Sequence, residues 1–195
     1  MSDYTLLDIE TAPIEFQERE VIDYLIKKKI GRDFHPFFSK MVAVGLQDEG
    51  DEPVLIAGEN EAEILSEFWE KLDGIQPNLI VTFNGMAFDV PFLGLRSISN
   101  NVKPSFTIAT NKWQMETSNH FDCMHALSMK GNFSWVSLEI ACRLLGIEIP
   151  GDRVKATRLE ELYKAKDWEA IRKRAKQDLQ LTGQLFLKIR PFFAP

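Results

Sequence analysis

Four carboxylates in this chain sit where a carboxylate is crowded or costly. Asp8 and Glu10 lie two positions apart in the run YTLLDIE, so a strand through it aims both side chains to one side. Asp89 follows a second apolar run, NLIVTF, and the turn pair Asn84-Gly85. Asp178 lies seven positions from both Ile171 and Leu185 and four from Thr182, on the apolar stripe of its own helical segment. A carboxylate in that setting must be protonated, paired with a cation or bound to metal. Neighbouring acids repel unless a cation stands between them, and metal ions held by such a cluster would invert its local potential so that it could take up phosphate.

Each acid also has a plain explanation: solvation at a strand end for Asp8 and Glu10, the positive pole of a helix for Asp89, a salt bridge for Asp178. A D-x-E spacing arises by chance about once in a chain with this many acids. Asp167-Trp168-Glu169 repeats it at a helix start, where Asp is a routine cap.

Apolar periodicity supplies the elements that must position these residues. Residues 4–9 form a short strand that closes on Thr11 and Pro13, leaving the acids at its exit. Residues 18–29 have helical spacing at Val21, Tyr24, Leu25 and Lys28, and Gly31 stops them. Val42, Val44 and Leu46 alternate as a strand, and the acidic turn 48–52 leads into residues 53–57, which makes a hairpin. Asn60 is the N-cap of a helix whose stripe is Ile64, Leu65, Phe68, Trp69 and Leu72. Residues 78–83 are continuously apolar, as in a strand covered on both faces, and a helix follows over 89–97 with Pro91 in its first turn. Residues 99–119 are weakly patterned and read as a loop. A helix over 138–145 is capped by Gly146, and a long one over 167–189 turns Ile171, Ala175, Thr182, Leu185 and Ile189 inward. An antiparallel start followed by strand-helix units means an α/β class with a mixed sheet.

Taken in order, the pieces resemble the DEDD superfamily of 3′-5′ exonucleases, in particular stand-alone relatives of the proofreading domain of family B DNA polymerases. LLDIETAP looks like the first exonuclease motif, TFNGMAFDVPFL like the second and RAKQDLQLTGQLF like the third, with SLEIACRLLGI between them also similar. The resemblance runs from about residue 4 to 189 and implies a ribonuclease H-like fold, a mixed sheet flanked by helices, with residues 1–195 as one domain. It implies that Asp8, Glu10, Asp89 and Asp178 hold two divalent cations, Mg or Mn, that activate water and stabilise the leaving 3′ oxygen. Asp8 would bridge the ions, Glu10 and Asp178 would complete the nucleophile-side site, and Asp89 would support the other. Ile9, Thr11, Asn84, Phe88 and Arg174 are the candidate substrate-binding residues. The implied partner is nucleic acid with a free 3′ end, single-stranded DNA before RNA.

One residue departs from the pattern. The tyrosine-bearing branch places Tyr four residues before the last Asp, and here that residue is Arg174. Its guanidinium either turns aside or pairs with an acid and competes with a cation for the site. Tyr163 and Asp167 offer the same spacing, yet they precede the long helix and lack the L-x-x-T-x-x-L-F that follows Asp178, so Asp167 reads as an N-cap.

Other clusters carry less. His120, Asp122, Cys123 and His125 are too crowded for a zinc-finger spacing, and Asp122 reads as support beside the metals or as a helix cap. Phe34, His35, Phe37 and Phe38 stack bases or close a core, and the basic runs 27–29 and 172–176 track phosphates or form solvated helix faces.

The chain's 195 residues suit one core, and 45% hydrophobic with 27% charged residues excludes a disordered or collagen-like class. A net charge of -6 argues against gripping nucleic acid by bulk charge, though not against an acid cluster that works through metal. Without an apolar run of ~18 residues or a basic-then-apolar N-terminus, the expected setting is cytoplasmic, away from membranes. Cys123 and Cys142 are too far apart for a C-x-x-C pair and are expected reduced and buried. Three functions remain: a metal-dependent 3′-5′ exonuclease, a catalytically degenerate nucleic-acid-binding or interaction module suggested by Arg174, and a phosphodiesterase acting on short oligonucleotides or small substrates.

Overall fold

The computed structural model describes residues 3–29, 35–111 and 118–193. Five strands, β1 (Thr5–Pro13), β2 (Ser39–Asp48), β3 (Val54–Ala57), β4 (Ile80–Thr82) and β5 (His120–Asp122), form one sheet in the order β3-β2-β1-β4-β5. β1 is central. It runs antiparallel to β2 along its whole length, whereas its parallel partner β4 meets it only at Thr5 and Leu6. Beyond Leu6 that side of β1 is open, and there Asp8 and Glu10 stand.

The strand does not end where the sequence suggests. β1 continues to Pro13, because β2 is long enough to pair with it throughout and a register shift between Glu10 and Thr11 absorbs the mismatch. Pro13 is the last residue of the strand, where a missing N–H costs least. Asp8 and Glu10 are therefore mid-strand residues beside the edge that the short neighbour leaves unpaired, not residues at a strand exit.

Alternation along β1 divides the core. Leu7 and Ile9 pack with Met41, Val44, Phe68, Leu72 and Phe92 beneath α2 (Glu61–Ile75) and α3 (Asp89–Ser99). Tyr4 and Leu6 pack with Leu179, Leu185 and Phe186 beneath α7 (Trp168–Phe193). Asp8 and Glu10 are in step with the second set, so they face α7, which carries Asp178. Two glycines set how closely that helix approaches. A Cβ on Gly183 would lie 2.8 Å from Leu6 Cδ1, and one on Gly45 would lie 2.7 Å from Leu179 Cδ1. Neither contact can stand as it is, so a side chain at either place would force Leu6 or Leu179 to shift within the packed seam between α7 and the sheet.

The expected stripes of α2 and α7 are buried, whereas of Val21, Tyr24, Leu25 and Lys28 on the first helix only Leu25 is, and Asn60 caps α2 by accepting the N–H of Ala62 at 3.1 Å. Asp167 accepts the N–H of Ala170 at 3.1 Å just ahead of α7, as an N-cap does. The first helix, α1 (Arg19–Lys28), ends on a left-handed Lys29, φ 53°, before Gly31, which lies outside the described residues, as do Phe34 and residues 112–117 of the expected loop. α4 (Cys123–Leu127), α5 (Leu138–Leu144) and α6 (Leu159–Lys164) complete the α-helices among the described residues, and Gly146 after α5 takes φ +72°. The strand β5 gave no periodic signal, being three residues long. Both cysteines are buried free thiols, and no helix among the described residues is long and apolar enough to cross a membrane.

Candidate active site

Asp8, Glu10 and Asp178 each present a carboxylate oxygen, and these atoms lie within 4.8 Å of one another. β1 supplies two of them and α7 the third. The group sits past the end of β4, at the carboxyl ends of the parallel strands, where ligands of α/β sheets collect. Glu10 and Asp178 are buried, while Asp8 opens on a cleft. Asp89, the first residue of α3, stands beside these acids but outside that set of three. Its Oδ1 accepts the N–H of Ile9 at 3.1 Å, which ties the start of α3 to β1.

The turn that delivers Asp89 is held by Asp122. Oδ1 of that residue accepts the N–H groups of Asn84 (2.9 Å), Met124 (2.9 Å) and His125 (3.1 Å), and Oδ2 accepts that of Met86 (3.0 Å). Asp122 is thus at once the cap of α4 and the anchor of the turn after β4. Gly85 has no room for a side chain: a Cβ would fall 2.3 Å from Thr82 Oγ1, which accepts its N–H at 3.1 Å. His120 Nε2 meets that hydroxyl at 2.8 Å, and burial lowers the imidazole to about 4. Within the group His120, Asp122, Cys123 and His125, the imidazole of His120 and the carboxylate of Asp122 are therefore committed to holding strands and turns, and among the described residues the acids form the one group suited to metal.

The candidate substrate residues take different places. Ile9 buries its side chain in the core beneath α2 and α3, Phe88 packs on Phe92 with ring centroids 5.3 Å apart, and Asn84 adopts φ 70° with a buried Oδ1 that has no hydrogen-bond partner. Thr11 lines a small cleft of about 210 Å³ together with Glu10, Thr157 and Arg174.

Arg174 does not turn aside. Its Nη2 donates to Asp178 Oδ2 at 2.8 Å and its Nη1 to the carbonyl of Val154 at 2.9 Å. Its Nε lies 2.7 Å from Glu10 Oε1, close enough for an ion pair but not aligned as a hydrogen bond. A second arginine, which sequence reading missed, completes the arrangement: Arg153 donates to Asp178 Oδ1 at 2.5 Å and to Glu139 Oε2 at 3.3 Å. Arg153 lies between α5 and α6, in a stretch without periodicity. Both arginines line a cleft of about 560 Å³ that also includes Asp8, Asp178, Phe83, Arg143 and Lys155. The other basic residues of the run 172–176 have partners of their own: Arg172 on the carbonyl of Ala57, Lys173 on Asp152 and Lys176 near Glu52.

Charge remains unbalanced despite the arginines. Burial raises Asp8 well above the usual carboxylate range, and Glu10, Asp178 and Asp89 push it the same way. Burial also carries Glu10 up to about 8 against the pull of Arg174, and Asp89 up to about 7 in spite of the N–H groups it accepts. Asp8 Oδ2 is buried and accepts no hydrogen bond. An oxygen-only donor set with a surplus of negative charge and a vacant buried acceptor fits a hard divalent cation.

Residues 36–194 match the model of a family described as predicted 3′-5′ exonuclease related to the exonuclease domain of PolB, a match that begins after Asp8 and Glu10. An uncharacterised protein of Methanocaldococcus jannaschii is 29% identical over 161 residues, 78% of this chain and 86% of its own length. The family B DNA polymerase of the hyperthermophilic archaeon Pyrobaculum calidifontis shares the fold, with a TM-score of 0.72 and 14% identity over 97% of this chain. This chain spans 24% of that polymerase, and the likeness is one of fold, an α/β architecture of the ribonuclease H-like kind.

Proposed function

The chain belongs to the family of predicted 3′-5′ exonucleases related to the exonuclease domain of PolB, and we propose that it is itself a metal-dependent 3′-5′ exonuclease. It would release nucleotides from single-stranded or frayed nucleic-acid ends, single-stranded DNA before RNA, working as one domain. The observation that carries this reading is the group Asp8, Glu10 and Asp178 with its vacant Asp8 oxygen, open to a cleft large enough for a nucleotide. In this reading Asp8, Glu10, Asp89 and Asp178 hold divalent cations, Mg or Mn. When bound, such ions lower the pKa of water and offset charge on a leaving 3′ oxygen.

The chain's own groups do the rest. The Ile9 N–H keeps Asp89 at the site, and Asp122 fixes the turn before it. Arg143 and Lys155 give the cleft positive charge for phosphate, and Phe83 gives it an apolar wall for a base or sugar. A paired end must unstack to enter, so it should react more slowly than a frayed one. Two buried free thiols accord with a reducing compartment, which supports a cytoplasmic setting.

Arg174 favours a second reading. Because two arginines already neutralise part of the acid cluster, a degenerate module that binds nucleic acid without cutting it would look the same in outline. Incubation of end-labelled single-stranded DNA and RNA with Mg, Mn or chelator separates the two. A ladder shortening from the 3′ end, dependent on the ion and absent on closed circles, is expected. Degradation of a 3′-blocked strand from its 5′ end would contradict the exonuclease, and tight binding without cleavage would establish the module.

A further inference from the structure

The arginines bear on how many ions the site takes, an argument that rests on the acid cluster being a metal site. Arg174 lies between Glu10 and Asp178, with Nε 2.7 Å from one carboxylate and Nη2 2.8 Å from the other. Those are the acids that the resemblance assigns, with Asp8, to the nucleophile-side ion. The guanidinium is no surface group that has folded inward: its side chain is 11% exposed, and Val154 holds its third nitrogen from behind. Asp178 is engaged on both sides, Oδ2 by Arg174 and Oδ1 by Arg153. Glu10 and Asp178 thus already share a cation that the sequence supplies.

Counting charge leads to the same place. With all four carboxylates deprotonated, the form that binds a cation, two guanidinium groups leave two negative charges, the charge that one divalent ion cancels. The vacancy is local as well: among the four acids, Asp8 Oδ2 and Glu10 Oε1 are buried without a hydrogen bond, and Glu10 Oε1 has Arg174 Nε 2.7 Å away, which leaves Asp8 Oδ2 as the oxygen without a guanidinium partner. A second divalent ion would have to expel a guanidinium gripped by three acceptors, leaving it buried without its partners.

We propose that Arg174, braced by Arg153 through Asp178, stands in for one of the two metal ions, so that this chain takes a single divalent ion, held at Asp8. Arg174 then acts as a fixed positive charge beside the reacting phosphate, where a Tyr-bearing relative would carry an ion and a hydroxyl.

Calorimetric titration of Mn into the metal-free full chain tests this without recourse to activity. One ion per chain is expected for the parent, two for Arg174→Gln, and one for Arg174→Lys, which keeps the charge. Two ions in the parent would overturn the inference while leaving the exonuclease reading intact. One ion in a folded Arg174→Gln would overturn it as well, because the guanidinium would then not be what excludes the second. No ion in the parent at millimolar Mn would remove both this inference and the metal-dependent function. Should Arg174→Gln fail to fold by circular dichroism, parent and Asp8→Asn decide the matter: one ion and none are expected, and an undiminished ion in Asp8→Asn would overturn the assignment to Asp8.

Discussion

Two buried arginine-carboxylate arrangements lie in this molecule at nearly equal depth, and they differ in what is left over. Between α2 and α3, Glu61 Oε1 accepts the N–H of Met41 (2.7 Å) and Arg96 Nε (2.8 Å), and Oε2 accepts Arg96 Nη2 (2.6 Å) and Asn100 Nδ2 (2.9 Å). The remaining arm of Arg96 reaches the carbonyl of Pro36 at 3.1 Å. One acid meets one base in a bidentate fork, and each carboxylate oxygen accepts two bonds. At the sheet end, Arg174 and Arg153 face a surplus of acids, the Arg174–Glu10 contact is misaligned, and Asp8 keeps an empty acceptor. Burial is the same in both places, so depth does not separate structure from function here. Completeness does: the first arrangement is closed, while the second still has room for a cation.

The largest effect that could break this contrast is at Asp8. Asp8→Asn should lower the exonuclease rate by more than the ~100-fold that losing a supporting residue around a metal costs. It should also leave the metal-free protein as stable as the parent or slightly more so, because the carboxylate removed is one that its neighbours repel. Rate assays at saturating Mn and melting in chelator read the two halves of this expectation. A variant that melts well below the parent without metal would make Asp8 a structural residue.

Asp178 should behave as a hybrid of the two regions. Its removal frees a metal-side oxygen but also strands Arg174 and Arg153, which are 11% and 16% exposed. Asp178→Asn should therefore cost both activity and about 3 kcal/mol of apo-protein stability, the scale of breaking a buried ion pair. Glu61→Gln should show a similar loss of stability with the turnover of the folded fraction unchanged. Urea melts with parallel assays check this, and an Asp178→Asn that melts like Asp8→Asn would mean the arginine contacts contribute little.

What was legible in the sequence follows the same division. Asp8, Glu10, Asp89 and Asp178 could be found because each stands out against its own local element, a strand, a turn or a helix stripe. The stripes of α2 and α7 could be read for the same reason. Partners distant in sequence left no such trace. Glu61 reads as an ordinary acid in the first turn of a helix, with nothing to connect it to Arg96, 35 residues on. Arg153 is 25 residues from Asp178 in an irregular stretch, and β5 is too short to show a period. The true end of β1 escaped because it depends on the length of β2 and on a bulge, neither of which residues 4–13 encode alone.

The smallest effect concerns pH, and its sign distinguishes the two regions. Glu10 stands at about 8 in the folded chain against an ordinary 4.5, and Asp89 at about 7 against 3.8. Between those limits the native state keeps protons that the unfolded chain has released. Their contribution to stability is fully present below pH ~4 and is lost as pH rises through 7 and 8. The metal-free protein should accordingly melt lower at pH 8 than at pH 5.5, by roughly 2–4 °C for each kcal/mol lost in a chain of this size. Divalent ions bind the deprotonated carboxylates, so the stabilisation gained on adding Mn should grow over the same range. Glu10→Gln should flatten the slope in chelator, while Glu61→Gln should lower the melting temperature at every pH and leave the slope in place. Differential scanning calorimetry across pH 5.5–8 reads all three proteins. If the slope is as steep in Glu10→Gln as in the parent, the Glu10 proton does not carry it, and Arg174 already neutralises that carboxylate in the folded chain.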